Sequence, residues 1–546
     1  MNELLNYSSN YGPLIVVLLQ IRTSPIGLEF GEKIVIILLG LGPGSANLLT
    51  REAWEVLSAV ERVYLRTRHH PAVAGLPAHL ALHDFDALYE SATDFDDVYA
   101  QIAEAIIAAA QATSGDVVYA VPGHPLVGEA SVWLILRRAR QLGILTRIVG
   151  GMSFIESTLE ALSLVPSSDH TSTAPTRPST HDLQPLSLDP LDGLQIGDAL
   201  EMAARHHPPL NPDRPALIAQ IHSRAVASDV KLTLMNQYPP QHPVFVVRGA
   251  GSEGGAALVA SPCLLVPLAE LDHAERFDHL TSLYVPPLPR PGGLESLQET
   301  IAHLRAPEGC PWDREQTHES LRSTLLEETY EVLAAIDAGD LEALKEELGD
   351  LLLNVVLQCQ IATEAEEFRM GDVIAEVDAK LRRRHPHVFG DVVVNTAEEV
   401  IANWHAIKRQ EQAAKVEAGG SALDGIAPAL PALAQAQKLA HRAEKAGFQW
   451  DGHDDRLAKV REELEEAASA RDDAHRAEEI GDLLFTIANW ADGYGIDAET
   501  AAREANHKFA RRFRALERII RERGLALSAM GQAEIRAIWQ EIKQLE

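Results

Sequence analysis

Two short acidic patterns in the carboxyl-terminal half bring together residues that could do chemistry. Glu327-Glu328-Thr329-Tyr330-Glu331 sets Glu328 and Glu331 three apart in a helical stretch, so they share one helix face. After a break at Gly339-Asp340, the run Glu346-Glu347-Leu348-Gly349-Asp350 repeats that spacing with Glu347 and Asp350. Folded as an antiparallel helical hairpin, the two pairs can face each other. Four carboxylates at one junction suit a hard divalent cation with oxygen ligands, Mg2+ above all and Mn2+ as an alternative. Without a cation the like charges repel, and a bound metal removes that cost.

A lone acidic helix face is ordinary and usually only solvated. Two features argue against that reading here. Apolar residues surround the acids: Leu325, Leu326, Val332 and Leu333 on one helix, and Leu348, Leu351, Leu352 and Leu353 on the other. The pattern also recurs, as Glu462-Glu463-Leu464-Glu465-Glu466 followed by Glu479-Ile480-Gly481-Asp482-Leu483-Leu484. An internal repeat of this kind is hard to attribute to chance.

Basic residues complete each copy. Lys380 and Arg384, then Trp404 and Lys408, follow the first; Lys508 and Arg512, then Trp539 and Lys543, follow the second. Each pair is one helical turn apart. Lys and Arg can neutralise phosphate oxygens. A Trp can stack on a base or pack a core, and the core is its commoner fate.

The elements that must position these groups divide the 546 residues into several domains. The run Lys33 to Leu39 reads as a buried strand leading into Gly40-Leu41-Gly42-Pro43-Gly44. Helical patterns near Thr50 to Val60, Gln101 to Ala112 and Glu129 to Leu142 alternate with strands at Asp116 to Val121 and Thr146 to Val149, which signals an α/β architecture. Further strands are expected at Ala216 to Ile221 and Val244 to Val247. Residues 166–185, rich in Ser, Thr, Pro and His, are expected to form a mobile insertion. Tyr284 to Gly293 reads as a proline-rich linker, and long amphipathic helices follow it. The expected division is an extension over 1–32, an α/β domain over 33–288, and all-helical units over 289–416 and 417–546.

The segment Gly309-Cys310-Pro311-Trp312-Asp313-Arg314-Glu315-Gln316-Thr317-His318, with the acidic hairpin and Arg383-Arg384-His385-Pro386-His387-Val388-Phe389, resembles MazG proteins. Asn506-His507-Lys508-Phe509 and Arg511-Arg512-Phe513 resemble the second MazG repeat. The resemblance implies an all-α pyrophosphatase fold, Mg2+ dependence, a helical homodimer, and hydrolysis of nucleoside triphosphates to monophosphate and pyrophosphate. It implies Glu328, Glu331, Glu347 and Asp350, and Glu463, Glu466, Glu479 and Asp482, as metal ligands. Lys380, Arg384, Trp404, Lys408, Lys508, Arg512, Trp539 and Lys543 become substrate contacts. Glu327 or Glu462 would accept the proton of an attacking water. The second repeat keeps a compact Lys508 to Arg512 element and a clean Trp539 to Lys543 pair, which favours it as the active one.

In the α/β half, three glycine-rich turns follow strands: Gly40 to Gly44, Pro122-Gly123-His124, and Gly150-Gly151-Met152-Ser153. Such turns line one crevice at the strand ends of an α/β sheet. With Leu48-Leu49-Thr50 they resemble the tetrapyrrole methylase family, and the fusion resembles YabN-like proteins. The resemblance implies S-adenosylmethionine as cofactor, held around Gly40, Gly42, Gly44, Pro122, Gly123, His124, Gly151 and Ser153. Two positions depart from that family: Ser45 stands where it often has Asp, and His124 where its methylases usually carry Asp. Both departures bear on cofactor and acceptor. His69-His70 is expected in a loop rather than at a metal, and Asp229 with Lys231 in a surface ion pair rather than in catalysis.

Composition narrows the alternatives. A formal net charge of -31, from 48 basic and 79 acidic residues, argues against broad nucleic-acid binding. Cys263, Cys310 and Cys359 are widely spaced and form no CxxC pair, which fits a reducing cytoplasm. The apolar run Leu14 to Ile21 is too short to span a bilayer, so no membrane partner is expected. Residues 1–32 are expected to be a poorly ordered extension or the result of an early start codon, with a buried extra strand as the lesser alternative. Two other functions remain at this stage: a methyltransferase whose helical half regulates or dimerises, and a nonenzymatic scaffold or nucleotide sensor. Intact acidic quartets in both repeats favour the hydrolase.

Overall fold

The computed structural model describes residues 34–91, 95–163, 190–248, 263–274, 277–417 and 420–545. The expected extension and the 166–185 insertion lie outside them. The chain forms two compact units, Met1–Arg369 and Met370–Glu546.

In the first unit, β1 (Val35–Gly40), β2 (Arg62–Leu65), β3 (Ala81–Asp84), β4 (Val117–Val121) and β5 (Leu145–Val149) form a parallel sheet in the order β3-β2-β4-β1-β5. The central strands β1 and β4 are apolar throughout because helices cover both faces of such a sheet. Those helices are α1 (Arg51–Ala59), α2 (Asp86–Ser91), α3 (Phe95–Ala112) and α4 (Ala130–Leu142), whereas α5 (Phe154–Ser163) packs on the second sheet through Ala161 and Leu162. Val98, Ile102 and Ile106 of α3 pack with Val132 and Ile135 of α4 on Ile36, Leu38 and Tyr119; Leu57 of α1 packs with Leu39 and Val63 on the opposite face.

A second sheet holds β6 (Gln195–Asp198), β7 (Ala216–Ala219), β8 (Pro243–Arg248), β9 (Cys263–Pro267) and β10 (Thr281–Val285), ordered β6-β7-β10-β8-β9. Only β6 and β7 pair in parallel. Helices α6 (Ala199–Ala203) and α7 (Arg224–Leu234) accompany this sheet, and Val226, Val230 and Leu234 of α7 join its core. The expected strand to Ile221 stops at Ala219, because Gln220 takes a left-handed backbone with φ 66°. The linker also begins later than expected. Tyr284 and Val285 are fully buried in β10, and Asp213 takes the Gly292 and Gly293 amides at 2.6 and 2.9 Å.

Helices α8 (Leu294–Arg305), α9 (Pro311–Glu315), α10 (Arg322–Ala338) and α11 (Leu341–Glu364) complete this unit. Arg305 pairs with Glu364 at 2.7 Å and also binds the carbonyls of Asp313 and Gln316, which fixes the Gly309 to His318 segment on α11. The second unit is all-helical: α12 (Met370–Arg384), α13 (Pro386–Phe389), α14 (Ala397–Glu417), α15 (Ala432–Lys445), α16 (His453–Ser469), α17 (Asp473–Gly493), α18 (Ala498–Glu522) and α19 (Gln532–Leu545). The division between units falls inside the first helical repeat, between its acidic hairpin and its basic helix. Among the described residues no helix is long and apolar enough to cross a membrane.

Candidate active sites

Gly339 ends α10 in a left-handed conformation, φ 66°, which costs glycine little. Asp340 then caps α11, accepting from the Glu342 and Ala343 amides at 3.1 Å each. This two-residue turn folds α10 against α11 and brings the acids together. Carboxylate oxygens of Glu328, Glu347 and Asp350 lie within 4.8 Å of one another. Desolvation raises the Glu328 carboxyl above the usual range, and the charges of Asp350, Glu331 and Glu347 raise it further. Glu347 rises for the same reasons, with Glu331 its foremost charged neighbour. Glu331 is close enough to influence both, but it is not among the three carboxylates that converge. Glu327 is exposed and outside the cluster.

The second hairpin repeats the design. Asp472 caps α17 through the His475 amide at 2.9 Å, and oxygens of Glu463, Glu479 and Asp482 again lie within 4.8 Å of one another. Desolvation, followed by the charge of Glu466, raises Glu479; Glu466 itself is not among the three carboxylates that converge. One difference separates the copies. Lys459 bridges Glu462 and Glu463 at 2.8 Å each, and His475 reaches Glu479 at 3.1 Å. Hydrogen bonds to the two glutamates hold the Lys459 ammonium well above its ordinary pKa. Thr324 and Ala343 stand at the matching helix positions of the first hairpin, and neither carries a charge. Sequence reasoning missed Lys459 and His475, although each sits one helical turn before its acid.

The basic residues of the first copy lie in the second compact unit. Arg384 and Lys408 approach the Trp404 ring, at 5.8 and 4.8 Å from its centroid. Arg384 also binds Glu411 at 2.6 Å; hydrogen bonds from Arg384 and Arg383 pull that carboxyl down to about 2. Lys380 is exposed one turn before Arg384. In the second copy, Lys508 and Arg512 ride on α18 and Lys543 on α19. Trp539 packs on Phe509, centroids 5.4 Å apart, and borders the core of Leu516, Ile520, Ile538 and Ile542. It is half-buried, at the edge of that core.

In the α/β half, the three glycine-rich turns meet. A Cβ on Gly40 would lie 2.5 Å from the Gly123 carbonyl and 2.7 Å from the Gly151 nitrogen, so only glycine permits this approach. Gly42 and Gly123 exchange backbone hydrogen bonds of 3.2 and 2.7 Å. The turns border a cavity of about 520 Å3, to which Pro122 and Gly123 contribute directly. Gly40, Gly42 and Gly151 shape the backbone beside it, and Gly44 follows Pro43, which lines it. His124 turns its Nδ1 to the Leu126 amide at 3.1 Å, Ser153 bonds Glu156, and Ser45 caps the Asn47 amide at 3.2 Å. Those side chains support the turns.

The cavity wall holds groups that carried no sequence signal. Glu129, 4% exposed, pairs with Arg66 at 2.5 Å, and Tyr89 and Tyr99 flank the guanidinium. Burial raises the Glu129 carboxyl despite its partner; burial also opposes the Arg66 charge, but Glu129 and the tyrosines keep it protonated. His70 is buried beside its loop and pushed down to about 4, by desolvation and then by the nearby His279. His69 is exposed. Lys231 pairs with Asp272 at 2.7 Å in a half-buried bridge; the expected partner, Asp229, is not the one used.

Comparison with known proteins follows these divisions. Residues 35–262 match the family model of tetrapyrrole (corrin/porphyrin) methylases, and residues 316–389 that of the MazG nucleotide pyrophosphohydrolase domain. The YabN protein of Bacillus subtilis is 37% identical over 525 residues, 94% of this chain and 99% of that protein. The chain belongs to the YabN family. The nucleoside triphosphate pyrophosphohydrolase of Escherichia coli is 44% identical over 259 residues, 46% of this chain and 98% of that enzyme. MazG of Thermotoga maritima is 41% identical over 249 residues, 46% of this chain and 95% of that enzyme. Among solved structures, uroporphyrin-III C-methyltransferase of Thermus thermophilus is 20% identical, with a TM-score of 0.32 over 46% of this chain and 94% of its own. The MazG family model and the nucleoside triphosphate pyrophosphohydrolase relatives make the chain an enzyme: a hydrolase half joined to a methyltransferase-like half.

Proposed function

We propose that the helical half hydrolyses nucleoside triphosphates to monophosphate and pyrophosphate with Mg2+, for which Mn2+ can substitute. The observation that carries this reading is the paired hairpins, each converging three carboxylates within 4.8 Å. Such oxygen-only donor sets fit a hard divalent ion; desolvation and then neighbouring carboxylate charge raise Glu328, Glu347 and Glu479, and a bound ion would relieve the second of these. When bound, the ion would polarise the phosphorus centre and lower the pKa of the attacking water. Glu328, Glu331, Glu347 and Asp350 would hold it in the first repeat, and Glu463, Glu466, Glu479 and Asp482 in the second. Glu327 or Glu462 would take the proton from the water. Lys380, Arg384 and Lys408, and Lys508, Arg512 and Lys543, would stabilise charge on the departing pyrophosphate.

Exposed Leu326, Leu348 and Leu352 on the first hairpin, and Leu464, Ile480 and Leu484 on the second, support a homodimer through the helical units. The α/β half, over 33–288, would bind S-adenosylmethionine at the glycine turns and act in the cytoplasm with the helical units over 289–416 and 417–546. Titration calorimetry with S-adenosylmethionine tests that half: no detectable heat removes methyl transfer. For the hydrolase, Glu328→Gln combined with Glu463→Gln should abolish pyrophosphate release, and unchanged release would overturn the site assignment.

A further inference from the structure

The second compact unit contains a pocket of about 240 Å3 whose charge is opposite to that of the chain. Lys408 of α14 and Lys438, His441 and Arg442 of α15 line it, over an apolar floor that includes Ile426 and Leu430. Among the described residues no carboxylate lines it, in a chain with 79 acidic residues. Helix α14 belongs to the first MazG-like repeat and α15 to the second. Arg442 donates Nη1 to the carbonyls of Ala422 and Asp424, which ties the connecting loop over the pocket. Desolvation lowers the Lys408 ammonium, and the nearby charges of Lys445, Arg384, Arg442 and Lys438 lower it further. Holding these like charges together costs free energy that a multivalent anion would return.

We propose that this pocket is a metal-independent phosphate-chain site, in which Lys438 and Arg442 of the second repeat complete the Arg384, Trp404 and Lys408 set of the first. Its ligand is pyrophosphate, either free or as the tail of a triphosphate. The choice of pyrophosphate rests on the hydrolase reading; the preference for a multivalent phosphate anion does not. A phosphate chain offers several oxygens to ammonium and guanidinium donors at once. The two repeats would thus be linked, because the second supplies cations to the substrate groups of the first.

The test is calorimetric titration of the full chain with inorganic pyrophosphate in the presence of chelator, so that neither metal nor catalysis is needed. Wild-type protein should bind, more weakly as salt rises. Lys438 is exposed and tied to no buried partner, so Lys438→Gln should fold normally while weakening binding about tenfold, with Lys438→Arg restoring most of it. No binding by the wild-type chain, equal binding by Lys438→Gln, or citrate binding as tight as pyrophosphate would each overturn the site. A protein that binds pyrophosphate this way yet hydrolyses no triphosphate would retain the site and lose only the hydrolase reading.

Discussion

His70 makes the stability of the α/β half depend on mild acid. The ring is 3% exposed, and its Nδ1 accepts the Ala72 amide at 3.3 Å. Desolvation, then the neighbouring His279, depress its pKa from 6.5 to about 4. The folded state therefore binds this proton only near pH 4, whereas the unfolded chain binds it near 6.5. The contribution is fully present above pH 6.5 and is lost progressively as pH falls towards 4. Linkage over that interval is worth about 3 kcal/mol, of which about 2 kcal/mol is lost between pH 7 and pH 5. His279 is depressed in the same direction and adds to the slope. Hydrogen exchange of β1 and β4 core amides, followed from pH 7 to pH 5, reads this opening free energy after correction for intrinsic exchange rates. His70→Asn keeps an acceptor near Nδ1 and should lose less protection over that range. Equal pH dependence in wild type and variant would refute the argument.

Other expectations concern the ion pair, the acids and the tryptophan. Removing one partner of the buried Arg66–Glu129 pair, as in Arg66→Met or Glu129→Gln, should cost about 3–5 kcal/mol, and the double variant less than the sum; a double-mutant cycle in urea checks this. Glu347→Gln and Glu479→Gln, made separately, should show which repeat turns over. The variant in the working copy should lose at least about a hundredfold in kcat, since one oriented charge contributes roughly that much to a transition state, and equal rates in both would contradict the quartet assignment. Trp539→Ala should lower stability by about 1–2 kcal/mol, less than a fully buried truncation because the ring is half-buried; unchanged stability with a raised KM would instead make it a base contact.

Much of this arrangement was legible because the acids recur at fixed spacings and helical periodicity turns spacing into geometry. Glu328 with Glu331, and Glu347 with Asp350, follow from i,i+3 neighbours on two helices joined by Gly339 and Asp340. The Lys459 and His475 bridges obey the same rule with i,i+4 spacing and could have been read. The Arg66–Glu129 pair could not, because its partners lie 63 residues apart and meet only when β2 and the α4 cap converge on the cavity. The end of β7 was equally hidden: Gln220 adopts a left-handed backbone that its side chain does not announce. Trp404 and Trp539 share one sequence context, yet one lies under two cations and the other borders a core. Tertiary packing decides between those fates.

The most direct test of the central claim is incubation of the purified chain with a panel of nucleoside triphosphates and Mg2+, measuring pyrophosphate and monophosphate together. Equimolar release of both, abolished by chelator and by Glu328→Gln with Glu463→Gln, is the predicted result. Release of orthophosphate instead, or of nothing from correctly folded protein, would contradict it.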